Sequence, residues 1–353
     1  GRVATSDAVR ELVVAALANV AQSDVGRRVM AVNAVRDVLV AIGRVAATDA
    51  VRDVLVAMGS GTTDTNVRVG VVQAIFHISV SDAGEKLMAT PSVRDVLVTI
   101  GQCADADCLR LRAVAGAIAM VTYHEGGQHL MANASVRDVL VRLGRAAASA
   151  PPSKSATDLS GSVAMAIRNI ALSEAGQRVL TCAGVRDVLV KIALARASHE
   201  GDWSVAMALQ NVAASDDGKR LLSNVSVRDA LVAIGRRAAD DRTRARVVVA
   251  VGNIALAQGP PVMANSSVRD VLVAAWRATS SPQLWRDVAT AIVKIALSDA
   301  GKRVMANESV RDALVAICRA GPDSDWDVRL PAAHAITLIA EVDEGKAVMA
   351  SDD

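Results

Sequence analysis

Gly301-Lys-Arg-Val-Met-Ala-Asn-Glu-Ser-Val-Arg-Asp-Ala-Leu-Val-Ala-Ile317 recurs, with small changes, along the whole of this chain. Its centre, VRD(V/A)LV, begins at Val35, Val51, Val93, Val136, Val185, Val227, Val268 and Val310, at intervals of 16, 42, 43, 49, 42, 41 and 42 residues. A second marker keeps the same beat. The glycine of Ser-Asp-Ala-Gly-Lys-Arg-Val-Met falls at Gly26, Gly84, Gly127, Gly176, Gly218, Gly259, Gly301 and Gly345. Two independent markers sharing a period of about 42 residues identify a repeat array, since periods of roughly 20 to 50 residues are the signature of solenoids.

The two irregular intervals have local causes. Gly26 and Gly84 are 58 residues apart, a normal period enlarged by the 16 that separate Val35 from Val51, so Val35–Gly43 and Val51–Gly59 are a duplication within one unit. On one continuous helix a 16-residue step turns the apolar face by about 160°, so the chain must break between the copies and an extra helix is expected there. The interval of 49 reflects Ser149–Ser160, whose Pro151-Pro152 predicts a lengthened loop.

Three helices can be drawn in each unit. The second is the clearest: Val93, Val96, Leu97 and Ile100 follow the i, i+3, i+4, i+7 pattern of a single apolar stripe. Ser92 with Asp95 three residues later predicts a reciprocal cap at its start, and Ser135/Asp138, Ser226/Asp229, Ser267/Asp270 and Ser309/Asp312 repeat it. Near its end stands Gly43, Gly59, Gly101, Gly144 or Gly235, with Ala193, Ala275 and Cys318 in the other units. Since a left-handed cap would call for Gly or Asn, the shared property is small size, which predicts close helix contact. Val163–Leu172 and Val247–Leu256 exemplify the long third helix, and Gly301–Ala306 the short first one. On this reading residues 1–22 close a partial repeat, 23–341 hold seven repeats with insertions near 44–60 and 149–160, and 342–353 begin another. Because half-repeats leave apolar faces uncovered, the natural protein is expected to extend further, or these ends to be covered by partners.

Short helix, second helix, long third helix: in this frame the chain resembles the armadillo repeat family over essentially its whole length. The resemblance implies an all-α fold, a right-handed α-solenoid, with the two-helix HEAT repeat as the alternative. Armadillo repeats that bind extended peptides carry a Trp-Ala-x-x-Asn-like pattern in the third helix, and the resemblance implies that the Asn faces a concave groove and bonds the peptide backbone. That position holds Asn19, His77, Met120, Asn169, Asn211, Asn253, Lys294 and Leu338, so the candidate peptide groove consists of Asn19, His77, Asn169, Asn211, Asn253 and Lys294. Four residues earlier stand Ala15, Gln73, Gly116, Met165, Met207, Val249, Thr290 and His334. None is aromatic, so apolar slots for lysine stems are missing, which weighs against capture of basic peptides. An Asn near a helix end also caps or bridges loops within a solenoid, and that reading stays open.

Composition narrows the function. Hydrophobic residues make up 52% of the chain but aromatics only 2%, so the core must close with small aliphatic side chains. Lys plus Arg number 39 against 37 Asp plus Glu, which leaves no overall field to draw nucleic acid or an anionic membrane. No apolar run reaches the roughly 18 residues of a membrane-spanning helix. Cys103, Cys108, Cys182 and Cys318 form no CxxC pair, so neither a disulfide framework nor zinc is expected, and a reducing intracellular compartment such as the cytoplasm is preferred. His124-Glu-Gly-Gly-Gln-His129 is not a zinc-protease helix, because its histidines are five residues apart, about 140° around a helix.

The Arg-Asp of each VRD copy predicts a ladder of ion pairs between stacked units. Trp203, Trp285 and Trp326 lie at third-helix starts and predict inter-helix packing. Arg236, Arg237, Arg242, Arg244 and Arg246 form the one dense basic run, a solvated turn or a docking patch for an acidic partner. No nucleophile, base and orienting group cluster, and no cofactor motif occurs, so a non-enzymatic scaffold without cofactor is expected. Its partner would be a protein or peptide along the third helices. The alternative is a structural spacer in a larger assembly, contacting its neighbours through edges and loops.

Overall fold

The computed structural model describes residues 49–103, 108–195, 198–258, 261–320 and 326–351. Asn19, residues 1–22, the first VRD copy at Val35 and Gly259 lie outside them. The chain divides into two compact units at Leu180/Thr181. Among the described residues all regular structure is helical. The first unit carries α1 (Asp49–Ser60), α2 (Thr65–Ile78), α3 (Asp82–Met88), α4 (Pro91–Cys103), α5 (Cys108–Val121), α6 (Glu125–Met131), α7 (Ala134–Ser149), α8 (Lys154–Ile170) and α9 (Glu174–Leu180). The second carries α10 (Ala183–Leu194), α11 (His199–Val212), α12 (Asp216–Leu222), α13 (Val225–Arg237), α14 (Asp241–Ala255), α15 (Ser266–Arg277), α16 (Pro282–Ala296), α17 (Asp299–Met305), α18 (Glu308–Ala320), α19 (Trp326–Ile339) and α20 (Asp343–Met349).

Helices of the same rank stack within each unit. Third helix packs on third helix, α2 on α5 and α5 on α8 in the first unit, and α11, α14, α16 and α19 in sequence in the second. Second helices do likewise, α1, α4 and α7, then α10, α13, α15 and α18. The predicted stripe is the core: Val93, Val96, Leu97 and Ile100 are all buried, as are their counterparts Val227, Ala230, Leu231 and Ile234.

The recurring glycine of the first helix has a steric cause. A Cβ on Gly84 would lie 2.0 Å from the Ile78 carbonyl oxygen, and one on Gly176, Gly218 or Gly301 would lie 1.8 Å from the carbonyl of Ile170, Val212 or Ile295. Each short helix therefore begins with its backbone pressed against the end of the preceding third helix, where only a hydrogen fits. Ser81, Ser215 and Ser298 cap these helices, each Oγ accepting from the glycine N–H at 3.0 to 3.2 Å. His124 replaces the serine before α6, and its Nδ1 accepts from Gly126 N–H at 3.1 Å.

The small residue closing the second helix is a joint, as its size predicts. A Cβ on Gly59, Gly101 or Gly235 would come within 2.4 to 2.6 Å of Val96, Val139 or Val271 in the next second helix. Where that residue is Ala193 or Ala275, the matching valine has become Ala230 or Ala313, all four buried. Volume lost on one side is restored on the other.

Four expectations need correction. The second helices start earlier than the serine rule places them. Asn133, Asn224 and Asn265 are the N-caps, each Oδ1 accepting from the N–H of Ser135, Ser226 or Ser267 at 2.8 to 2.9 Å, so those serines are already helical. Among the described residues the VRD arginines build no ladder between units. Arg94, Arg137, Arg186, Arg228, Arg269 and Arg311 each fold back on the very next aspartate at 2.8 to 2.9 Å, because adjacent side chains at an exposed helix start meet without any partner helix. Ser149–Ser160 is mostly helix: α7 runs to Ser149 and α8 starts at Lys154, leaving 150–153 as the break around Pro151-Pro152. Finally, the short first helix is absent among the described residues between α14 and α15, where Pro261 lacks an N–H donor.

Candidate functional site

The third helices of residues 181–353 hold three of the six candidate groove residues, Asn211, Asn253 and Lys294. Asp240 starts α14 as its N-cap, accepting from Thr243 N–H at 2.7 Å and Thr243 Oγ1 at 3.1 Å. Burial works against the ionised Asp240, but these bonds and nearby His199 outweigh it and hold its carboxyl below the usual range. Pro282 opens α16, where its missing N–H costs nothing. Both helices then run about four turns and carry Asn253 and Lys294 at the same place, two residues before their ends at Ala255 and Ala296. Asn211, Asn253 and Lys294 are half-buried on three successive packed helices. Lys294 Nζ donates to Asn253 Oδ1 at 3.1 Å. Gly252 is buried at the α14–α16 contact, with Ala291 Cα only 3.3 Å from where a Cβ would stand, so its small size brings these helices together.

Below these rungs lies a half-buried polar set. Arg246 Nη1 donates to Gln210 Oε1 at 3.4 Å, while its Nε is buried and unbonded. Asp287 Oδ1 accepts from Gln283 Nε2 at 2.9 Å. Burial raises the Asp287 carboxyl above the ordinary range, against the pull of Gln283, Arg286, Arg246 and Lys294. Burial, and then Lys219, push the Lys294 ammonium down.

In residues 49–180 the same register gives a different picture. Asn169 is 3% exposed. Its Nδ2 donates to the Ala119 carbonyl of α5 at 3.0 Å, and its Oδ1 accepts from the Arg168 guanidinium at 2.8 and 3.0 Å. That amide is committed to bridging α8 to α5. His77 is half-buried, edge-on to Phe76 at 5.2 Å between ring centroids.

Three of the five arginines in the basic run already hold carboxylates. Arg237 makes a bidentate pair with Asp202 at 2.6 Å and also reaches the Ala193 carbonyl at the end of α10. Arg244 pairs with Asp241 at 2.8 Å. Arg242 lies 3.4 Å over the Trp203 ring and 4.0 Å from Glu200. Arg236 is exposed. Sequence reading missed the Arg237 pair because Asp202 sits on the preceding third helix, 35 residues away.

Of the tryptophans, Trp203 packs as expected and Trp285 Nε1 bonds the Thr279 carbonyl at 3.3 Å, but Trp326 is 70% exposed at the tip of α19. Among the described residues no group of three or more His, Cys, Asp or Glu could hold a metal ion, and no helix is long and apolar enough to cross a membrane.

No family model matches the chain, and no curated protein does either. Solved structures do. One, from work on a phosphorylation switch controlling the interaction between cadherin and beta-catenin, superposes with a TM-score of 0.70 at 15% identity over 91% of this chain; the chain spans 61% of that one. A designed armadillo repeat protein superposes at 0.53 with 20% identity, covering 69% of this chain and 99% of its own. The fold is the armadillo repeat. A further designed armadillo repeat protein, in complex with the peptide (KR)4, matches at a TM-score of 0.50 and 18% identity over 76% of this chain and 99% of its own. The armadillo assignment accounts for the short first helices and their glycines, which a two-helix repeat does not require.

Proposed function

We propose that this armadillo array is a non-enzymatic scaffold that holds an extended segment of a partner protein along the third helices of residues 181–353. The observation that carries this reading is the alignment of Asn211, Asn253 and Lys294 at one depth on α11, α14 and α16, each half-exposed. Packed helices lie about 8–10 Å apart and an extended chain rises roughly 3.3 Å per residue, so successive rungs would meet a bound backbone about every third residue. The (KR)4 complex of a designed relative in fold, and the cadherin interaction named for the beta-catenin structure, lend support. Asn19, His77 and Asn169 are the weaker members of the proposed groove, and Asn169 serves the alternative role of internal bridge.

The test begins with co-purification and crosslinking to name a partner. Asn211→Ala with Asn253→Ala should then weaken its binding by about 0.5–1.5 kcal/mol per lost bond while leaving the melting temperature nearly unchanged. Early unfolding with normal affinity would sink the groove reading. One observation favours the spacer instead: Val80, Tyr123 and Leu172 precede the stacked helices α3, α6 and α9 and stand 48 to 68% exposed, an apolar edge suited to assembly contacts. Crosslinks confined to that edge would support the spacer.

A further inference from the structure

Resting on the groove reading just given, we infer that the segment held there is acidic, with carboxylate side chains seated on Lys294 and Arg246.

Two cations stand on this face without an acid. Lys294 Nζ is bonded only to the neutral Asn253 amide oxygen, and Arg246 only, at 3.4 Å, to the neutral Gln210 amide oxygen. Among the described residues neither has a carboxylate within 4.0 Å, whereas most other half-buried arginines and lysines of this unit do, including Lys219, Arg237, Arg244 and Lys302. The exception is informative because a half-buried cation without a counter-charge is costly, and here the buried Nε of Arg246 lacks even a neutral acceptor.

The one acid between them does not settle the balance. Asp287 is half-buried and bonded to Gln283, and although it feels both cations it makes no ion pair with either within 4.0 Å. Lys219 adds to the positive potential at Lys294, although its own ammonium is held by Asp216 at 2.7 Å. The field at the rungs is therefore positive, even though the chain carries a net charge of only +2. An incoming carboxylate would meet a guanidinium and an ammonium already partly desolvated, the setting in which charge-assisted hydrogen bonds are strongest. A polycation such as (KR)4 would meet the wrong sign.

A phage-displayed library of random dodecamers, panned on the full chain, tests this directly. The expected result is enrichment of Asp and Glu in the selected peptides, with basic sequences depleted. Lys294→Gln combined with Arg246→Gln should abolish the enrichment and weaken a selected acidic peptide about tenfold or more, while Lys294→Arg preserves it. Raising salt from about 0.05 to about 0.5 M should weaken the same peptide on the unaltered chain, a readout that does not depend on any variant folding. Peptides selected without acidic bias, or acidic ones indifferent to salt and to the double Gln variant, would overturn the inference. If those unbiased peptides are still lost on Asn211→Ala with Asn253→Ala, the groove survives and only its charge preference falls. If the Asn variant selects the same peptides as the unaltered chain, or nothing is selected at all, the groove itself falls.

Discussion

Gly101→Ala offers the sharpest probe of how these repeats hold together. The added Cβ would stand 2.6 Å from Val139 Cγ1 and 3.2 Å from Val114 Cγ1, both buried, so neighbours must move. Overpacking of this kind costs about 1–3 kcal/mol, partly offset by about 1 kcal/mol of helix propensity gained on replacing Gly. Val139→Ala alone removes two buried carbons, about 1.6 kcal/mol at ~0.8 per group, plus the penalty of a void. The double variant reproduces the Ala193/Ala230 joint found elsewhere in the chain, with the new methyl filling the space vacated by the valine. It should be closer to the unaltered protein than the sum of the singles predicts, with a coupling of at least about 1 kcal/mol. Urea denaturation followed by circular dichroism gives the three stabilities, and amide exchange in α4 and α7 shows whether the effect is local. Additivity within about 0.5 kcal/mol would refute the idea that the two positions share one volume.

Asn169→Ala and Asn253→Ala, alike in sequence context, should differ in thermal stability. The first removes the bridge to the Ala119 carbonyl together with an acceptor of the buried Arg168 guanidinium and costs about 1–3 kcal/mol, while the second changes stability little, and equal losses would remove the distinction between bridge and rung. Asn224→Ala should lower stability by about 0.5–2 kcal/mol through loss of the cap to Ser226 N–H, whereas Ser226→Ala should cost much less; the reverse order would restore serine as the cap. Glu85 has a buried, unbonded Oε1, and burial raises its carboxyl above the ordinary range despite nearby His124. Its folded form holds the proton more tightly than the unfolded one, so the penalty is absent below the unfolded value of about 4.3 and grows as pH rises through the folded one. Glu85→Gln should therefore raise the melting temperature at pH about 7 and leave it unchanged at about 3, and an equal shift at both would exclude ionisation as the cause.

What the sequence disclosed, and what it hid, follow from the range of the forces involved. Periodicity placed Val93, Val96, Leu97 and Ile100 in the core because a repeat's apolar stripe has only one surface to bury. The cap was misplaced by two residues because Asn133 and Ser135 are both good caps, and only the backbone's entry angle decides between them. Arg94 and Asp95 satisfy each other within one dipeptide, a local solution that a search for stacked ladders overlooks. Asn169, Asn211 and Asn253 are indistinguishable as letters in a register. Asn169 differs because Arg168 beside it is buried and turned onto its amide, a matter of burial that one-dimensional spacing does not carry.

The paired residues at the second-helix joints also restrict how such a chain can lengthen. α4 brings Val96 to the helix before it and offers Gly101 to the helix after it, so a tandem copy of its repeat would meet itself with the right shape. α13 brings Ala230 and offers Gly235, and α15 brings Val271 and offers Ala275. A copy of either beside itself would set Gly against Ala, leaving a hole, or Ala against Val, forcing a collision. Those two repeats act as adapters between two incompatible couplings, and they are tolerated only in alternation. Growth by duplication is thus open at the α4 repeat and closed at the adapters unless they are copied as a pair, so the order of repeats along this chain is constrained by methyl groups rather than by any ligand.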